Sequence, residues 1–128
     1  MKNGYIPLFF LINLFVSCGM PRADETIAGM NRYWDFYRVE NFDSLKAFYI
    51  PPIPDTSFWN ALHKVGAQYG KIQNISLTNT TVGQAFGKGE RIELTYEVEY
   101  EKKVLDHIFS FKKDDKGVFK ISKHELTK

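Results

Sequence analysis

Three histidines and one cysteine are the side chains of this 128-residue chain whose proton chemistry falls closest to neutral pH. His63, His107 and His124 are far apart in sequence, no two at ligand spacing, and no cysteine cluster accompanies them, so neither a metal site nor a cofactor is expected. His107 stands out by its phase. It alternates with Leu105, Phe109 and Phe111, which places all four on the inward side of a strand. Tyr96 and Tyr100 share the inward side of the preceding strand, with Trp34 or Tyr37 of the first helix opposite. These aromatic positions, Trp34, Tyr37, Tyr96, Tyr100, His107 and Phe109, are the candidate pocket. A general acid–base enzyme would pair His107 with an inward carboxylate that sets its tautomer and pKa. Glu93, Glu97, Glu99 and Asp106 all fall on the outward phase, and Asp35 points inward only if the first helix is rotated. The expectation is therefore a neutral histidine bonded to a tyrosine or the backbone, its pKa pushed below about 6.5 by burial. His63 and His124 are expected to be exposed.

Other motifs carry less. Phe86-Gly87-Lys88-Gly89-Glu90 resembles a phosphate-binding glycine loop only superficially, since it lacks the Walker pattern and joins two strands. Pro51 to Pro54 matches P-x-x-P, which a connector between helices explains without a partner. Asn74-Ile75-Ser76 and Asn79-Thr80-Thr81 are formal glycosylation sequons, which a chain of bacterial origin would leave unused.

The elements that must position these residues divide the chain in two. Asp24 is a plausible N-cap for a helix over 25–40, in which Ile27, Met30, Tyr33, Trp34 and Tyr37 form one face. Asn41 caps a short second helix with Phe42, Leu45, Phe48 and Tyr49 inward, and the proline run at 51–54 ends it. Asp55 caps a third helix, with Phe58, Trp59, Leu62, Val65 and Tyr69 inward and Gly70 at its stop. After Gly70 the period changes from 3.6 to 2. A first strand runs from Ile72 past Val82 with a bulge between Ile72 and Ile75, and Gly87-Lys88-Gly89 turns it. The second strand puts Ile92, Leu94, Tyr96, Val98 and Tyr100 on one side and Arg91 with four glutamates on the other. A third strand follows a turn near Lys102, and Asp114-Asp115-Lys116-Gly117 turns into a fourth marked by Phe119 and Ile121. Lys112, Lys120 and Lys123 are expected to meet the outward glutamates across strands. Helices first and a meander second predict an α+β domain of three helices packed on a curved four-stranded antiparallel sheet.

The start of the chain reads as an address. Lys2 and an apolar stretch over residues 6–16 have the build of a secretory signal peptide, too short to span a bilayer core. Val16-Ser17-Cys18 resembles the lipobox of bacterial lipoproteins, with Phe15 where that family prefers leucine. The resemblance implies cleavage before Cys18, lipidation of its thiol with palmitate-like chains, and anchoring to a membrane on the extracytoplasmic side of a bacterial cell envelope. Residues 1–17 are then the signal, 18–23 a lipidated tether and 24–128 the domain. The mature chain carries 16 basic and 15 acidic residues, which leaves no footprint for nucleic acid.

The run Tyr33-Trp34-Asp35-Phe36-Tyr37, then Asn41-Phe42-Asp43-Ser44-Leu45, Phe48-Tyr49, the third helix and the hairpin strand Leu94 to Tyr100 resemble the nuclear transport factor 2-like, or cystatin-like, superfamily, especially its small bacterial lipoproteins. That likeness implies a cone in which helices and sheet enclose a pocket, used by some members for isomerase or dehydratase chemistry and by many for binding. An aromatic interior without a carboxylate favours a membrane-anchored binding module for a small apolar ligand or an envelope protein partner. The alternative is an isomerase-like or hydrolase-like enzyme with His107 as acid/base.

Overall fold

The computed structural model describes residues 23–85 and 89–127; Cys18, the signal segment and the expected turn residues Gly87 and Lys88 lie outside them. Three helices pack against a four-stranded antiparallel sheet, an α+β arrangement with strand order β1-β2-β3-β4. The strands are β1 (Ile72–Ala85), β2 (Gly89–Tyr100), β3 (Val104–Lys113) and β4 (Phe119–Thr127). Among the described residues no helix is long and apolar enough to cross a membrane.

Helix α1 (Ala23–Arg38) buries Met30, Tyr33, Trp34 and Tyr37, the face that its periodicity marks. Asp24 lies within its first turn and is not its cap, because the helix already includes Ala23; there the carboxylate still favours the positive helix end. The helix stops two residues short of the expected boundary. Asn41 N–H donates to Phe36 O at 2.9 Å and Glu40 N–H to Tyr37 O at 3.0 Å, the paired bonds of a Schellman stop. Glu40 takes the left-handed position of that stop, with φ of 55°, where glycine is usual.

Asn41 then caps α2 (Phe42–Leu45), accepting from Ser44 N–H, and a 3-10 turn (Lys46–Phe48) follows. The chain next runs beside β4: Tyr49 bridges Ile121, and Ile50 N–H donates to Ile121 O at 2.9 Å. Asp55 caps α3 (Thr56–Tyr69) by accepting from Phe58 N–H, and Gly70 closes it at φ of 91°. A side chain at Gly70 would put its Cβ 2.8 Å from the Cβ of Glu101. This glycine permits both the backbone turn and the close approach of the β2–β3 loop.

The sheet shows why the core lies on one side only. Ile92, Leu94, Tyr96, Val98 and Tyr100 of β2 are buried, and Glu93, Glu97 and Glu99 between them are exposed. Leu105, His107, Phe109 and Phe111 continue the buried face in β3. The pairing of β1 with β2 shifts between Ile72 and Asn74, as expected, and again between Leu77 and Asn79. On the outer face the expected glutamate–lysine pairs do not form. The register sets Glu93 opposite Ser110, Glu97 opposite Asp106 and Lys112 opposite Arg91, so no outward glutamate of β2 faces a lysine of β3. Lys120 instead lies 3.9 Å from Asp114, and Lys123 lies 3.3 Å from Glu125.

The largest correction concerns β4. Regular alternation from Ile121 would turn His124 outward, but the pairing shifts between Ser110 and Phe111, which face Lys123 and Ile121. The extra residue, Ser122, bonds through its hydroxyl to Ser110 O at 3.1 Å. A one-residue bulge reverses the phase of everything beyond it. His124 therefore pairs with Phe109 and turns inward, partly buried, instead of standing exposed.

Candidate functional site

Burial of His124 builds a polar thread through an aromatic core. Tyr100 Oη lies 2.8 Å from His107 Nε2, and His107 Nδ1 lies 2.8 Å from His124 Nε2. His124 Nδ1 in turn lies 3.1 Å from Tyr49 Oη, which is 2.6 Å from Tyr33 Oη. At the other end Tyr37 Oη stands 3.3 Å from Tyr100 Oη. Five parts of the chain contribute: α1 supplies Tyr33 and Tyr37, the segment beside β4 supplies Tyr49, and β2, β3 and β4 supply one residue each. His107 is completely buried, yet both of its ring nitrogens have partners, as a buried polar group requires.

Around the thread the rings meet mostly edge to face. Trp34 stands 5.3 Å from His107 and 5.6 Å from Phe109, near perpendicular to both, and His124 stacks on Phe109 at 4.1 Å. Such packing desolvates the imidazoles, His107 completely and His124 in large part, and desolvation governs their chemistry. Burial pushes the His107 pKa down to about 3. The same cause, reinforced by the facing His107, pushes His124 well below its ordinary value. Desolvation likewise raises Tyr33 and Tyr37 well above the usual phenol range and Tyr96 to about 12. Around neutral pH every member of the thread is thus uncharged.

A cleft of about 360 Å³ opens where the C-terminal ends of α1 and α3 approach the start of β1. Tyr37, Phe42, Leu62, Ile72 and Tyr100 give it an aromatic and aliphatic lining, with Arg38, Glu40, Lys71 and Glu101 among its polar residues. Both carboxylates are engaged. Glu40 pairs with His63 in the middle of α3, and Glu101 accepts the backbone N–H of Lys71 at 2.8 Å. Arg38 and Lys71 make no side-chain ion pair among the described residues.

Of the six aromatic positions expected to form a pocket, Tyr37 and Tyr100 border this cleft; Trp34, Tyr96, His107 and Phe109 pack together behind it as core. His107 connects to the cleft only through Tyr100. Its phase and its tyrosine partner agree with the sequence reading; its second partner, His124, is expected at the surface and lies inside instead. Tyr49 and Tyr33 lie on apolar stripes, a pattern that gives no sign of their hydroxyl bonds. Ile121 and Leu126, both turned inward but an odd five residues apart, are the one sequence sign that β4 changes phase between them. No carboxylate bonds to either histidine of the thread, and no cluster of three or more His, Cys, Asp and Glu forms among the described residues. Comparison of the chain with protein-family models, curated proteins and solved structures finds no match.

Proposed function

We propose that this chain is a lipid-anchored binding domain of a bacterial cell envelope, held to the membrane through Cys18 and taking a small ligand in the cleft floored by Tyr37 and Tyr100. The observation that carries the binding reading is an open cleft with an aromatic and aliphatic wall and a charged rim, bordered by two tyrosines and joined to an interior whose histidines have no acidic partner among the described residues. An acid–base enzyme needs an imidazole that reaches its substrate and titrates near the working pH. His107 has both nitrogens occupied and a pKa pushed down to about 3, which weighs against the isomerase-like or hydrolase-like alternative. Three helices packed on an antiparallel sheet accord with the cone of the nuclear transport factor 2-like superfamily. The lipobox-like Val16-Ser17-Cys18 supports the anchor.

Two measurements test the proposal. Cells expressing the chain and fed a fatty-acid probe should label it, and Cys18→Ser should abolish labelling and leave unprocessed precursor; a variant still labelled at the mature mass contradicts the anchor. A small-fragment screen read by backbone NMR should give perturbations gathered at Tyr37, Leu62, Ile72 and Tyr100. Perturbations centred elsewhere, or none, contradict the assignment of the cleft.

A further inference from the structure

Counting protons along the buried thread shows which end has one to spare. Tyr37, Tyr100, His107, His124, Tyr49 and Tyr33 are six residues joined by five hydrogen bonds. With both rings neutral, each residue brings one N–H or O–H, and each bond consumes one. One residue therefore donates nothing to the thread. It is not a histidine, because a neutral imidazole bonded at both nitrogens must donate at one and accept at the other. The spare proton belongs to a tyrosine. If that tyrosine is Tyr33 or Tyr49, the bonds run so that both histidines carry hydrogen on Nδ1. If it is Tyr37 or Tyr100, they run the opposite way and both carry it on Nε2.

The two ends are not equivalent. Tyr33 is wholly buried and Tyr49 is 4 % exposed, and neither hydroxyl has a further partner among the described residues. A spare O–H there would be a buried donor with nothing to bond, the arrangement folded proteins avoid. Tyr37 and Tyr100 are hardly more exposed, at 6 % and 3 %, but they border the cleft, where water or a ligand can accept it. Their mutual bond at 3.3 Å is also the longest of the five, beyond the usual range for O–H···O. The cheaper direction thus sends the spare proton outward.

We propose that the cleft offers its ligand a tyrosine O–H donor, and that the ligand is a small aromatic or apolar molecule carrying an oxyanion such as a carboxylate. The donor end alone asks for an acceptor. The rim favours an anion, since the side chains of Arg38 and Lys71 have no ion pair among the described residues, Glu40 is paired with His63, and Glu101, though still charged, is held against the Lys71 backbone N–H. Phe42, Leu62 and Ile72 supply the apolar wall. The ligand class rests on the binding reading above; the direction of the thread does not.

The test uses the full chain in nonionic detergent, labelled with 15N at histidine and tyrosine, with phenylacetate, phenethylamine and phenylacetamide as probes. Two-bond 1H–15N correlations on the free protein should show His107 and His124 both protonated on Nε2. Phenylacetate should then shift signals at Tyr37 and Tyr100 and bind about tenfold or more tightly than phenethylamine, as a charge-assisted contact requires. Arg38→Gln with Lys71→Gln should remove most of that preference and leave both tautomers unchanged. Nδ1 protonation of either ring overturns the direction of the thread. Equal or tighter binding of the amine overturns the ligand class alone, and failure of all three probes to bind overturns the binding reading with it.

Discussion

Acid should unfold this domain through its two inward histidines, and the size of the effect follows from their burial. Both folded-state pKa values are depressed, so the sign is fixed: the stability is present in full above the unfolded pKa and is lost as pH falls below it. In the unfolded chain each ring takes a proton near pH 6.5, while in the folded chain His107 takes one only near 3. Between those limits His107 costs about 1.4 kcal/mol per pH unit, and His124, depressed in the same direction, steepens the slope further. At pH 5 the loss from His107 alone is roughly 2 kcal/mol, a large share of the roughly 5–15 kcal/mol typical of small domains. Asp55 and Asp114 are held low by hydrogen bonds to Ser57 and Phe58 and to Val118 and Lys116, so their contribution is lost at lower pH. The window from pH 7 to 5 therefore belongs to histidine. Urea denaturation across it, in a His63→Gln background that removes the exposed ring, should show stability falling more steeply as pH approaches 5, with an uptake of at least about one proton on unfolding there. His107→Leu, where it folds, should take about 1.4 kcal/mol per pH unit off the slope near pH 5. A stability flat between pH 7 and 5, or an uptake well below one proton near pH 5, would refute the reasoning.

Further outcomes follow from single contacts. Trp34→Ala and Tyr96→Ala each delete a large ring that is at most 5 % exposed and should each cost about 3–5 kcal/mol in urea unfolding. Gly70→Ala should lower stability by at least about 1–2 kcal/mol, because its φ of 91° is left-handed and the new Cβ meets Glu101; a neutral result would show that the β2–β3 loop yields freely.

Much of the scaffold was legible because single-residue rules decide it. Asn41 and Asp55 are caps, Gly70 is a stop, and the alternation from Arg91 to Tyr100 admits one burial pattern only. The site was less legible, for a reason of phase. His107 sits in an unbroken alternation that fixes its inward side; His124 sits beyond a bulge at Ser122 that reverses the strand, and local periodicity cannot carry across it. Tyr49 joins the thread only because its backbone bridges Ile121, 72 positions onward, a contact that no local pattern encodes. The cleft is similar. Its walls come from two helix ends and two strands, and the strained Glu40 that closes α1 at its edge gave no signal in the sequence beyond lying past the last buried residue, Tyr37.

The central claim is that the histidines inside this domain are neutral structural links and not proton-transfer groups. Direct titration of the ring resonances of His107 and His124 by NMR between pH 8 and 5.5, with folding monitored in the same samples, tests it most closely. The account predicts that neither ring titrates while the domain stays folded. A His107 midpoint above about 6.5 would require a negative partner that this arrangement lacks, and would put the enzyme reading ahead of the binding one.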